Sequence, residues 1–285
     1  MARTYLITGA SSGFGAALAK AVLARGDNAV LGARRLDQLR EIAGDHPNAL
    51  AVELDVTDAA ARERAVVQTI DRFGRIDVLA NIAGRGSLGA AEEFAPEQLR
   101  EQMELNFFAA AELTRAVLPH MRRQGSGHIL QLTSIGGLVS FGGFSAYCAS
   151  KYALNAWSEA LRDEVKPLGL RVTVVEPGAF RTEFAEAKNM RPAETIDAYR
   201  PVIEPVERYL YGGSGKQPGD PNKAAAVMIE AVESDDPPLH LVLGADAYGA
   251  WENKLAAMNA ELDRWRDRAV ATAYPNAEVS AVGGR

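Results

Sequence analysis

Short runs of aliphatic and β-branched residues at positions 5–8, 29–32, 49–54, 78–81, 128–133, 171–175 and 239–243 alternate with longer stretches of helical periodicity at 15–25, 96–123 and 146–166. An apolar run of that length suits a strand buried on both faces, and alternation of such strands with amphipathic helices builds βαβ units into a parallel sheet. The pattern predicts one α/β domain over residues 1–271, with a doubly wound parallel sheet of about seven strands flanked by helices. The rhythm breaks after Thr182, where prolines and the run Gly212-Gly213-Ser214-Gly215 interrupt it. An insertion of this length after the sixth strand is expected to form a substrate lid, at about 183–218. Asp220-Pro221 then restarts a helix as N-cap and first-turn proline. Farther on, Trp251, Leu255, Met258, Leu262 and Trp265 recur at helical spacing. This stripe is expected to pack on the chain's own sheet, with an oligomer contact as the alternative. Residues 272–285 are expected to be a flexible tail.

Composition narrows the function. The chain has 285 residues, 47% of them hydrophobic, enough for a substantial core. A net charge of −6 without a long basic run argues against nucleic acid as a partner. The single Cys148 excludes an internal disulfide, and four scattered His residues give no metal-ligand spacing, so no metal is expected. His46, His120, His128 and His240 fall outside every motif, and Cys148 is expected to pack in the core. No signal-peptide pattern opens the chain, and no apolar stretch reaches the roughly 18–20 residues of a membrane span. A cytoplasmic protein without membrane contact is the expectation.

Two places carry candidate chemistry. The first strand leads into Thr8-Gly9-Ala10-Ser11-Ser12-Gly13-Phe14-Gly15, which opens the first helix. Gly9, Gly13 and Gly15 permit a tight turn and close backbone approach to a pyrophosphate, which the helix N-terminus stabilises. An acidic residue ending the second strand would repel a ribose 2′-phosphate; here Ala33 is followed by Arg34 and Arg35, whose guanidinium groups can hold that phosphate. NADP(H) is therefore the preferred cofactor, with NAD(H) possible. The second place is Tyr147-Cys148-Ala149-Ser150-Lys151, with Tyr and Lys one helical turn apart on one face. An adjacent ammonium lowers a phenol's pKa and fits Tyr147 to give or take a proton. Ser134 ends the fifth strand, at the sheet edge where doubly wound folds bind ligands, and its hydroxyl can steady a substrate oxygen.

The loop spacing GxxxGxG, the YxxxK pair and the order of these segments resemble the short-chain dehydrogenase/reductase family, over about residues 3–182, with a single Rossmann-type domain. The wording of 81–182 is similar to bacterial hydroxysteroid-dehydrogenase-like members. The resemblance implies further roles. Ser11, Ser12 and Phe14 would join the glycines around the cofactor, and Asp55-Val56 would meet the adenine. Asn81-Ile82-Ala83-Gly84 matches the family's NNAG segment apart from Ile82, giving Asn81 a bracing role and Ala83 and Gly84 a place along the cofactor. The backbone at Pro177 and Gly178 would line the nicotinamide, and the Thr182 hydroxyl would anchor its carboxamide or the phosphates. Lys151 would also hold the nicotinamide ribose, and Asn106 would hold a water linking Lys151 to solvent.

Phe141, Phe144, Phe180 and Phe184 flank these motifs; if they converge, the pocket favours an apolar or aromatic carbonyl compound. The leading expectation is an oxidoreductase that interconverts a carbonyl and an alcohol, acting on a small molecule as a homodimer or homotetramer. The rivals are a catalytically silent dinucleotide-binding regulatory or scaffold protein, and an epimerase or dehydratase using bound cofactor.

Overall fold

The computed structural model describes residues 2–185, 190–192, 194–213, 215–274 and 277–278. Seven parallel strands form its sheet: β1 (Thr4–Thr8), β2 (Asn28–Ala33), β3 (Ala49–Glu53), β4 (Val78–Asn81), β5 (Gly127–Leu132), β6 (Leu170–Pro177) and β7 (His240–Leu243). Their order is β3-β2-β1-β4-β5-β6-β7. The direction of winding reverses between β1 and β4, which leaves a crevice beyond their carboxyl ends. This is the single-domain Rossmann-like arrangement that the strand–helix alternation predicts.

Period-2 alternation sends successive β1 residues to opposite faces. Tyr5 and Ile7 enter one core with α1 (Gly13–Ala24), Leu39 of α2 (Leu36–Ala43) and α8 (Pro221–Glu233). Leu6 enters the other, with α3 (Ala59–Phe73), α5 (Ala109–Gln124) and α6 (Ser145–Val165). Both faces are covered, so each strand is an apolar run instead of an alternating one. Asp220 caps α8 by accepting from the Asn222 N–H at 2.8 Å, as its sequence position predicts.

Three features depart from expectation. The helical stretch at 96–123 is divided: α4 (Pro96–Met103) passes through a π-helical turn, Glu104–Phe108, into α5. The segment after β6 contains a helix, α7 (Arg200–Gly212), whose first-turn Pro201 and internal Pro205 concealed it in the sequence. The third departure is α9 (Ala245–Val270): of its stripe only Trp251 packs against the body, on Leu138, Val242 and Ala247, while Leu255, Met258, Leu262 and Trp265 are exposed. The expectation that this stripe packs on the chain's own sheet is thus corrected, because the helix runs past the edge of the body. Positions 186–189, 193 and 214 of the expected lid, Ser214 of the glycine run, and 275, 276 and 279–285 of the expected tail lie outside the described residues. No described helix is long and apolar enough to cross a membrane.

Candidate active site

Strand β1 ends at the glycine turn. Gly9 has φ +65°, and a methyl group on it would lie 3.0 Å from the Ala83 backbone after β4. A methyl on Gly15 would sit 2.3 Å from the Gly9 carbonyl oxygen, so this position admits no side chain. Gly13 has φ +54° and faces Thr182, which follows β6. The turn is pinned by Thr8, whose hydroxyl accepts from the Ile82 and Ala83 N–H groups at 2.9 and 3.0 Å. Ser12 occupies the N-cap of α1 without a side-chain hydrogen bond, and the first turn contains no acid. Its amides are therefore free of the usual intramolecular competitor for an anion, and the turn fits a dinucleotide pyrophosphate.

Around this turn the strand ends present the other expected cofactor residues. Arg34 and Arg35 are exposed beyond β2; Arg35 donates to Ser11 Oγ at 3.1 Å and lies 3.7 Å from the Glu183 carboxylate. Burial raises the pKa of Asp55, but hydrogen bonds from the Thr57 N–H and hydroxyl, with the Arg34 charge, outweigh it and hold the carboxyl below its ordinary value. Val56 is buried, its carbonyl accepting from Arg62. Asn81 is buried and donates toward the Ala110 carbonyl, Thr114 and Gln131, joining β4 to β5 and α5. That is a bracing geometry, and it leaves Ala83 and Gly84 beside the crevice. Pro177 ends β6, and the Gly178 N–H donates to the Leu243 carbonyl at 2.9 Å.

The chemical groups gather at the ends of β4 and β5. Lys151 is buried, donates to the Leu132 carbonyl at 2.9 Å and lies 5.9 Å from the centre of the Tyr147 ring. A methyl on Gly136 would be 3.0 Å from Cε1 of Tyr147 and 3.4 Å from Ser134 Oγ, so phenol ring and hydroxyl share one small volume. Asn106 sits in the π-helical turn, an insertion common at functional sites, which aims its amide inward. That amide accepts from the Arg85 N–H at 3.1 Å and donates to the Arg85 carbonyl and Ser150 Oγ, each at 3.0 Å. A methyl on Gly84 would approach Asn106 Oδ1 to 3.0 Å and Lys151 Nζ to 3.5 Å. Asn106, Lys151 and the cofactor turn's neighbour Gly84 therefore meet at one point.

The electrostatics differ from the expected form. Burial pushes the Tyr147 phenol above its ordinary pKa, and the neighbouring Ser134 hydroxyl offsets only part of that rise. Burial also lowers the Lys151 ammonium to about 8. The expectation that Lys151 depresses the Tyr147 pKa is corrected: desolvation dominates both groups, and the ammonium points to the Leu132 carbonyl.

Of the four candidate pocket rings, two reach the phenol. Phe184 lies 5.4 Å and Phe144 6.2 Å from Tyr147, centre to centre. Phe141 is 44% exposed at the rim. Phe180 turns the other way, 5.1 Å from Phe14, where Gly219 has no side chain to block it; the expected pocket role for Phe180 is corrected to packing beside the glycine turn. Within the expected lid, Met190 and Ile196 are each tied to the body, for the Leu88 N–H donates to the Met190 carbonyl and the Ile196 N–H to Glu93.

Two positioning residues escaped the sequence pattern. Asp246, in the first turn of α9, accepts from the Ala179 N–H at 2.7 Å, and a methyl on Gly178 would lie 2.4 Å from its carboxylate. Asn155, one turn beyond Lys151, donates to Glu176 at 2.7 Å and to the Gly137 carbonyl at 3.2 Å, fastening the Ser134 turn to β6. Only the spacing of Asn155 from Lys151 hinted at its role; nothing local marks Asp246.

A family model described as short chain dehydrogenase matches residues 3–193. The chain belongs to the short-chain dehydrogenase family. A short-chain dehydrogenase structure from Streptomyces avermitilis is 44% identical, covers 95% of this chain and 98% of its own, and superposes with a TM-score of 0.89. Oxidoreductase BOA17 of Botryotinia fuckeliana is 34% identical over 96% of this chain and 100% of its own length. A 3-ketodihydrosphingosine reductase of Bacteroides thetaiotaomicron is 34% identical over 84% of this chain and 87% of its own. Other structures of this fold were solved with NAD or with NADP bound. This short-chain dehydrogenase is thus an oxidoreductase by family.

Proposed function

We propose that this short-chain dehydrogenase prefers NADP(H) and interconverts an apolar or aromatic ketone or aldehyde with its alcohol, with Tyr147 handling the proton. The observation that carries the reading is the meeting of Tyr147, Ser134, Lys151 and Asn106 beside a glycine turn built to receive a pyrophosphate. When bound, the dinucleotide supplies or accepts the hydride. Gly9, Ser11, Ser12, Gly13, Phe14 and Gly15 hold its pyrophosphate, Asp55 and Val56 face its adenine, and Asn81 keeps Ala83 and Gly84 in place alongside. Pro177 and Gly178 flank the nicotinamide side, and Thr182, against Gly13, is placed to anchor the phosphates.

Ser134 Oγ and the Tyr147 phenol define where the substrate oxygen sits. The Tyr147 phenol is protonated at neutral pH and donates to a carbonyl oxygen gaining charge. Ser134 donates a second hydrogen bond to that oxygen. Lys151 orients the ribose, and Asn106 would hold a water linking Lys151 to solvent. Phe144 and Phe184 supply the apolar wall, with Phe141 at the rim and the segment at about 183–218 acting as the lid. The name of the 3-ketodihydrosphingosine reductase relative agrees with an apolar ketone.

For the cofactor, Arg34 and Arg35 stand at the end of β2 where a 2′-phosphate would lie. Following nicotinamide absorbance with a panel of aromatic and long-chain ketones and aldehydes tests the whole reading. NADPH oxidation faster than NADH oxidation is expected. Arg34→Ala should raise the NADPH KM about 10- to 100-fold, the loss of a charge-assisted contact, and spare NADH. Equal effects on both cofactors contradict the preference. Tight dinucleotide binding without turnover in either direction would make the protein a silent scaffold instead.

A further inference from the structure

Every residue of α9 from 255 to 270 is exposed, although Leu255, Met258, Leu262 and Trp265 lie among them at 42%, 45%, 62% and 51% exposure. The overhang is about 24 Å long at 1.5 Å per residue. Helices in water draw most of their stability from packing an apolar face, and beyond Trp251 this one leaves its apolar residues exposed. Its period is informative: Tyr248, Trp251, Leu255, Met258, Leu262 and Trp265 are spaced alternately three and four apart. That is the a/d seam of a two-stranded coiled coil, narrower than the stripe a helix lays on a sheet.

We propose that α9 pairs with the α9 of a second copy of this chain as an antiparallel coiled coil. Direction follows from bulk. Each helix has its body at the N-terminal end, and paired axes lie only about 8–10 Å apart. Two bodies of this length, each with a radius of gyration of about 19 Å, would collide side by side in a parallel pair. Running antiparallel, they sit at opposite ends of the seam.

Register follows from the sequence. Setting Leu255 against Met258 of the second copy also sets Tyr248 against Trp265 and brings Leu262 to the uncovered edge of Trp251, whose other side packs on its own body, and two-fold symmetry repeats each layer. In the same register Lys254 and Glu261, which flank the seam, face each other with opposite charge, twice. With Tyr248, Leu255, Met258, Leu262 and Trp265 exposed on each helix, the two stripes together bury roughly 1,000 Å², the lower bound for a specific interface. An anionic membrane fits less well. Arg264 and Arg266 pair with Glu261 and Asp263 one turn back, so the polar face presents both signs.

Light scattering coupled to size-exclusion chromatography, on the full chain at micromolar concentration, tests the proposal. Leu262→Glu/Trp265→Glu should halve the mass of the assembly while circular dichroism keeps its helical signal, since both residues are exposed within one copy. Lys254→Glu and Glu261→Lys should each weaken association roughly tenfold, through two like-charge pairs, and their combination should restore it. A monomeric wild type overturns the proposal, as does a mass that the double glutamate variant leaves unchanged. A charge swap that fails to restore association overturns the antiparallel register. A wild type that is monomeric in solution yet sediments with phosphatidylserine vesicles overturns it and assigns the stripe to a lipid surface.

Discussion

Gly136 is where packing and chemistry are most tightly linked. Its added methyl in Gly136→Ala would press on Cε1 of Tyr147 at 3.0 Å, Ser134 Oγ at 3.4 Å and Cys148 Sγ at 3.5 Å. Comfortable carbon contacts are about 3.5–4.0 Å, so the ring must retreat by about half an ångström or more. Gly136 is not among the residues with positive φ, so alanine strains no backbone. Overpacking costs about 1–3 kcal/mol, offset in part by about 0.4–1 kcal/mol from a less flexible unfolded chain. A modest drop in melting temperature should follow, short of unfolding. The rate should suffer more. Misplacing a reacting group by 1 Å costs on the order of 100-fold, so kcat for carbonyl reduction should fall about 10- to 100-fold. The NADPH KM should barely change, because the glycine turn is untouched. Steady-state NADPH oxidation and a thermal melt measure both quantities. If Gly136→Ala melts lower but keeps its kcat, the placement of Tyr147 and Ser134 against one reacting oxygen is wrong.

The remaining predictions concern pH and the cofactor loop. His128 is buried against Thr173, and burial with the Arg171 and Arg3 charges lowers its pKa from 6.5 to about 4. Its neutral form is the folded form, so the stability it contributes is complete above about pH 6.5 and is lost as pH falls toward 4, a change of about 3 kcal/mol. Urea unfolding at pH 7 and pH 4.5 should show a steeper acid loss for the wild type than for His128→Gln; parallel losses contradict the assignment. Asp246→Ala removes the acceptor of the Ala179 N–H and should raise the cofactor KM several-fold with a smaller effect on kcat. A change in kcat alone would mean that Asp246 does not act through the Pro177–Gly178 turn.

Legibility in the sequence followed how local each signal was. All seven strands could be read because parallel strands covered on both faces leave uninterrupted apolar runs. The glycine turn and the Tyr147–Lys151 pair were legible because each depends on neighbours a few residues away. The π-helical turn at Asn106 was not, since the sequence on either side continues the helical period. Helix α7 was masked by two prolines, Pro201 in the first turn, where the cost is small, and Pro205 inside the helix. The stripe on α9 showed its period but not its partner, because an apolar face looks the same in sequence whether it meets its own sheet or another chain. Asp246 and Asn155 act through contacts 67 and 21 residues away, beyond any local pattern. The direction of the Tyr147 pKa depended on burial, which the spacing of Tyr and Lys does not reveal.

The central claim is that the Tyr147 hydroxyl moves the proton while the dinucleotide moves the hydride. Its most direct test is the rate of carbonyl reduction at saturating NADPH in Tyr147→Phe, measured beside NADPH affinity from nicotinamide fluorescence. The account predicts a loss of about 100- to 10,000-fold in rate, the range for a general acid, with affinity essentially retained. A variant that reduces the carbonyl as fast as the wild type would contradict it.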